Sequence, residues 1–102
     1  MELKLTETRK FDDKVLERYE IARYTVKVFT HESGYKSIDV RKDRDDYLPD
    51  IYCRTNCEGD ALAFEVQTTS YGSLSADEIR KVIAGLEEAA QVAEILTAEF
   101  VK

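Results

Sequence analysis

The chain reads as an α+β domain in which an antiparallel sheet of four to five strands, built from two β-hairpins plus an N-terminal strand, is covered on one face by a long C-terminal helix. Three observations predict this. Runs of alternating β-branched and aromatic residues fill the first two thirds of the sequence. Turn residues at 31–34 and 56–60 fold four of those runs into hairpins. A proline-free amphipathic stretch follows Ser75. With 102 residues and 11.7 kDa, residues 1–102 make one domain, since a second would be too small to bury a core.

Residues 2–9 alternate, with Leu3 and Leu5 on one phase and Glu2, Lys4 and Thr6 on the other, the period of a half-buried strand. Phe11 extends the apolar phase until Asp12 and Asp13 interrupt it. Asp12 to Tyr19 then matches one or two helical turns opened by an aspartate cap, with Val15, Leu16 and Tyr19 facing inward. From Glu20 to Thr30, Tyr24, Val26 and Val28 alternate with Thr25 and Lys27, which predicts a strand. Residues 31–34 supply a turn, because Gly34 tolerates positive φ, and Tyr35 to Arg41 returns through Ile38 and Val40. The mixed-charge run 41–46, closed by Pro49, is a solvated connection.

Residues 51–55 and 61–68 flank a turn at 56–60 and form the second hairpin, with Ile51, Cys53, Leu62, Phe64 and Val66 inward. Ser75 and Glu78 have the spacing of a capping box, and Leu74 and Ile79 stand at the staple positions, so the helix begins there and runs to about Lys102. Ile79, Val82, Ile83, Leu86, Ala89, Ala90, Ala93, Leu96, Thr97 and Phe100 share one face, which is expected to cover the sheet. Val92 and Ile95 project outside that arc, so the last turns call for another partner surface. Gly85 lies mid-helix, where it costs about 1 kcal/mol against alanine; it either permits close approach of another backbone or is merely tolerated, and tolerance is the favoured reading.

The balance of 15 Lys and Arg against 21 Asp and Glu gives a net charge of −6, which opposes direct binding to nucleic acid or anionic lipid. No stretch has the roughly 20 apolar residues of a membrane span, and the first residues lack the apolar core of a signal peptide, so the expected compartment is the cytoplasm. Cys53 and Cys57 are too few for a disulfide framework.

Chemistry-bearing patterns are sparse. Cys53 and Cys57, with Glu58 and Asp60 nearby, have a ligand-like spacing but lack a second cysteine pair, so no metal or other cofactor is expected. His31, Glu32 and Ser33 are the residue types of a nucleophilic triad, yet neighbours in a tight turn rarely converge on one reacting atom. The hydroxyl-rich segment 68–75 enters a helix N-terminus, where a capping carboxylate already competes with any anion.

These features favour a non-enzymatic protein-interaction module that binds a protein partner, with homodimerisation as one use of its free surfaces. The candidate binding residues are Tyr52, Arg54, Glu87, Glu88, Val92, Glu94 and Ile95, and exposed tyrosines grouped with Arg23 and Arg54 would add to such a face. A second reading is an acidic decoy or immunity-type inhibitor of a basic or nucleic-acid-binding protein. A third is a small-ligand binder or enzyme with its pocket between helix and sheet and its site completed at a dimer interface.

Overall fold

The computed structural model describes residues 1–102. Six strands precede one helix: β1 (Lys4–Lys10), β2 (Lys14–Ile21), β3 (Tyr24–His31), β4 (Lys36–Lys42), β5 (Asp50–Thr55), β6 (Ala61–Gln67) and α1 (Ala76–Phe100). The first four form an antiparallel sheet in chain order, and β5 pairs with β6 in a second, two-stranded sheet. The protein is α+β, and no helix is long and apolar enough to cross a membrane.

Residues 12–19 are not helical. Residues 12 and 13 form a bend and 14–19 belong to β2, whose partners run from Lys14 opposite His31 to Ile21 opposite Tyr24. Val15 and Tyr19 fall on the inner face and Leu16 on the outer, which a strand requires and a helix does not. The strand expected from Glu20 is instead divided by a two-residue turn at Ala22 and Arg23. Ala22 adopts φ 49°, a left-handed conformation that alanine rarely takes and that gives no turn signal in the sequence.

The core lies between the inner sheet faces and α1. Ile21, Tyr24, Val26 and Val28 meet Ile51, Cys53, Ala61 and Phe64 of the second hairpin and Ala89, Val92, Ala93 and Leu96 of the helix. Leu62, expected inside, is 47% exposed, because a register shift at Arg54 and Thr55 puts Ala61 in its place. Leu5 is also half exposed, since β1 lies beyond the reach of the helix.

The helix is rotated from its expected setting. Val92 has no exposed surface and Ile95 packs against the core, whereas Ile79 and Ile83 are 47% and 60% exposed. The cause is the β4–β5 connection, which is packed rather than solvated. Leu48 is wholly buried, and a Cβ added at Gly85 would stand 2.2 Å from the Tyr47 carbonyl oxygen. Gly85 is therefore required for close approach, and the helix turns its Gly85, Ala89, Val92, Leu96 side inward. The last turns need no outside partner: Phe100 lies edge-on to Tyr19 with ring centroids 5.5 Å apart and touches Phe64 at 6.1 Å.

Gly85→Ala is expected to lower stability by about 2 kcal/mol despite alanine's higher helix propensity, because overpacking outweighs it. Urea unfolding of the variant checks this. A variant more stable than the native chain would refute the close contact.

Candidate functional site

One group of side chains holds α1 in place. Arg23, at the β2–β3 turn, donates through Nε to both carboxylate oxygens of Glu88 at 3.2 and 3.1 Å and through Nη1 to Asp45. The Tyr47 N–H donates to Asp45 Oδ1 at 2.9 Å, and Lys42 Nζ donates to the Leu48 carbonyl at 2.7 Å. The Tyr24 hydroxyl, buried among apolar neighbours, donates to the Pro49 carbonyl. The Tyr47 hydroxyl donates at 2.8 Å to Glu78, which also completes the capping box with Ser75. The backbone N–H of Tyr47 and the Arg23 guanidinium hold Asp45 below its usual carboxylate range. The Ser75 backbone and the Tyr47 hydroxyl do the same for Glu78.

This clamp changes the standing of several expected binding residues. Glu88 is tied to Arg23 and only partly exposed, so neither is free for a partner. Val92 and Ile95 are withdrawn into the core by the helix rotation. Glu87 and Glu94 remain exposed, with Glu87 accepting from Gln91 at 3.1 Å. Tyr52 lies on the outer side of β5, and beside it Arg54 pairs with Glu65 at 3.2 Å.

The outer sheet face is laced with charge. Glu7 pairs with Arg9 and Asp39 with Arg41, each at 2.8 Å. Lys14 lies over the rings of Phe11 and Phe29 at 5.5 and 5.2 Å. A surface so interspersed with paired charge is well solvated and offers little apolar area to dock against.

Besides single exposed side chains such as Leu5, Phe11 and Leu62 on the strands and their connections, α1 exposes two isoleucines one turn apart. Ile79, Ile83, Leu86 and Ala90 recur at intervals of four, three and four, forming one stripe, with Leu86 and Ala90 half-buried at its inner margin. At 100° per residue this stripe is on the flank turned away from Lys81 and Glu88, the side that faces Tyr47 and Arg23. Sequence reading placed these isoleucines in the core because the apolar arc is wide enough for either setting. The signal that settles it is the row of small residues Gly85, Ala89 and Ala93.

A cleft of about 540 Å³ opens where α1 ends, between the uncovered parts of β3 and β4 and the tip of the second hairpin. Val28, Ile38, Leu62 and Phe100 form its apolar wall; Glu17, Asp60 and Glu99 carry carboxylates, and Lys36 and Lys102 offset them. The Tyr19 hydroxyl donates to Glu17 at 3.2 Å, and burial together with that carboxylate pushes the phenol above its ordinary range.

Other sequence-level candidates stay apart. The Ser33 hydroxyl accepts from the Tyr35 backbone N–H at 3.4 Å, while His31 packs against the Tyr35 ring at 5.7 Å between centroids. Cys53 is buried and Cys57 exposed on the turn, where Asn56 Oδ1 accepts from Glu58 and Asp60 N–H groups, each at 2.9 Å. No group of three or more His, Cys, Asp or Glu side chains is placed to hold a metal ion. The chain matches no protein-family model, no curated protein and no solved structure.

Burial pushes the Cys53 thiol up to about 11, so iodoacetamide at pH 8 is expected to modify Cys57 alone in the native protein and both cysteines in denaturant. Two equivalents incorporated natively would contradict the packing of Cys53. Asp45 gives a pH signature. Its lowered value means the contribution of the ionised Asp45 is present above 3.8, the carboxyl's ordinary value, and is lost as pH falls through the folded-state value. Asp45→Asn should therefore unfold at lower urea than the native chain at pH 7, with the gap closing toward pH 3. An equal gap at both pH values would show that the negative charge of Asp45 contributes nothing.

Proposed function

We propose that the chain is a non-enzymatic protein-interaction module whose docking surface is the apolar stripe of α1. The supporting observation is the exposure of Ile79 and Ile83 on a helix that is otherwise anchored. A folded chain gains nothing by holding two isoleucines in water, whereas burying each against a partner contributes about 1–2 kcal/mol. Glu87, Glu94 and Arg80 border the stripe and form the polar rim expected around an apolar contact.

The exposed carboxylates of Glu87 and Glu94, with Asp43 and Asp46 on the β4–β5 connection, support the acidic-inhibitor reading as the second choice. The cleft beside Phe100 supports ligand binding less, because its five charged groups of both signs select no single chemistry.

Salt and mutation separate the first two readings. Complexes formed in extract should persist at about 0.5 M NaCl, where the screening length is only a few ångströms, and should be lost with Ile83→Asp but not with Tyr52→Ala. Complexes lost in salt and indifferent to Ile83→Asp would overturn the apolar reading in favour of the acidic one.

A further inference from the structure

We infer that the occupant of the α1 stripe is a second copy of this chain, docked by antiparallel pairing of the two helices about a two-fold axis. The inference rests on the docking reading above and names its partner.

The stripe is complementary to itself. Its spacing of four, three and four is that of a helix–helix seam, and an axis passing midway between Ala84 and Gly85 seats Ile83 against Leu86 of the second copy and Ile79 against Ala90. Small Ala90 leaves room for the larger isoleucine opposite.

The charges agree with that direction. On the solvent side of the stripe, Arg80 lies toward the helix start, with Glu87 and Glu94 toward its end. Antiparallel pairing brings Arg80 level with the segment 87–91 of the other copy, so Glu87 is within reach at both ends of the seam. A parallel two-fold would carry these flanks to opposite sides of the seam, where Arg80 meets neither glutamate of the other copy, so charge favours the antiparallel arrangement.

The accessible area points the same way. A monomer of 11.7 kDa is expected to expose about 5,900 Å². This chain exposes 6803 Å², with a radius of gyration of 15.2 Å against about 13 Å for its length. The surplus of about 900 Å² is close to the roughly 800 Å² that each partner contributes to a standard interface. Much of it belongs to β1, exposed on both faces, and the exposed flank of α1 with Ile79 and Ile83 adds to it. A two-fold contact also closes on itself and produces a dimer rather than a fibre.

Sedimentation equilibrium of the full chain, from about 1 to 500 μM at low salt, reads the association directly. The expected mass rises toward twice the 11.7 kDa chain, and Ile83→Asp should remain monomeric while keeping the native melting curve at low concentration. If aspartate perturbs the fold, Ile83→Ser serves, with dimerisation weakened at least ten-fold. Arg80→Glu should weaken the dimer about five- to ten-fold, and adding Glu87→Arg should restore it, a rescue that a purely structural role for Arg80 would not produce. A native chain that stays monomeric throughout overturns the inference. If Ile83→Asp still abolishes a complex with another protein, the docking reading stands and only self-pairing fails. A dimer that Ile83→Asp leaves intact overturns the inference as well, by placing self-association on another surface.

Discussion

Where the chain crosses α1 at Tyr47, there is room on the helix for a hydrogen atom and nothing larger. The Tyr47 carbonyl oxygen stands where a Cβ at position 85 would collide, and Leu48 next to it has no exposed surface. That contact sets the rotation of α1, because a helix can bring its backbone so close to another only along a row of small side chains, here Gly85 and Ala89. The polar groups around it then become intelligible. Arg23 ties the β2–β3 turn to Glu88 and Asp45, and Tyr47 ties the connection to the helix start through Glu78. Each bond is modest on a partly exposed surface, but together they hold one connection, one turn and one helix in a single arrangement.

The rotation has a consequence on the far side of the helix. With Val92 and Leu96 inside, Ile79 and Ile83 are outside, and the helix carries apolar surface on two flanks, one satisfied by the sheet and one not. Paired charges solvate the outer sheet face, and the cleft beside Phe100 mixes both signs. The uncovered flank of α1 is therefore the apolar surface on which the proposed docking rests. A net charge of −6 opposes non-specific association through that flank.

Much of the architecture was legible in the sequence, and the parts that were not have identifiable causes. The β3–β4 hairpin, the β5–β6 hairpin and the capping box at Ser75 were readable because each carries a local signal: glycine in a turn, Asn56 accepting from two N–H groups, a serine and a glutamate three apart. β2 was hidden. Val15, Leu16 and Tyr19 fit a helical period as well as a strand, and the turn that delimits it at Ala22 has no glycine, asparagine or proline. The setting of α1 was hidden for another reason, since an apolar arc running from Ile83 round to Val92 admits more than one buried face. Only a contact with residues nearly forty positions earlier chooses between them, and its one local trace is the row of small residues Gly85, Ala89 and Ala93. Among the expected binding residues, Tyr52, Arg54, Glu87 and Glu94 lie at the surface, whereas Glu88, Val92 and Ile95 were displaced by the clamp and the rotation it imposes.

The rotation of α1 is the point on which both the packing and the proposed docking surface turn, and methyl-resolved NMR at low protein concentration tests it most directly. Nuclear Overhauser contacts are expected from the Gly85 α-protons to Tyr47 and Leu48, and from the Val92 and Leu96 methyls to Val26, with none from the Ile83 methyls to the sheet. Contacts from Ile79 or Ile83 to Val26 or Ile51, with Val92 free of the sheet, would show that the helix presents the opposite face and would contradict the docking surface together with the fold that creates it.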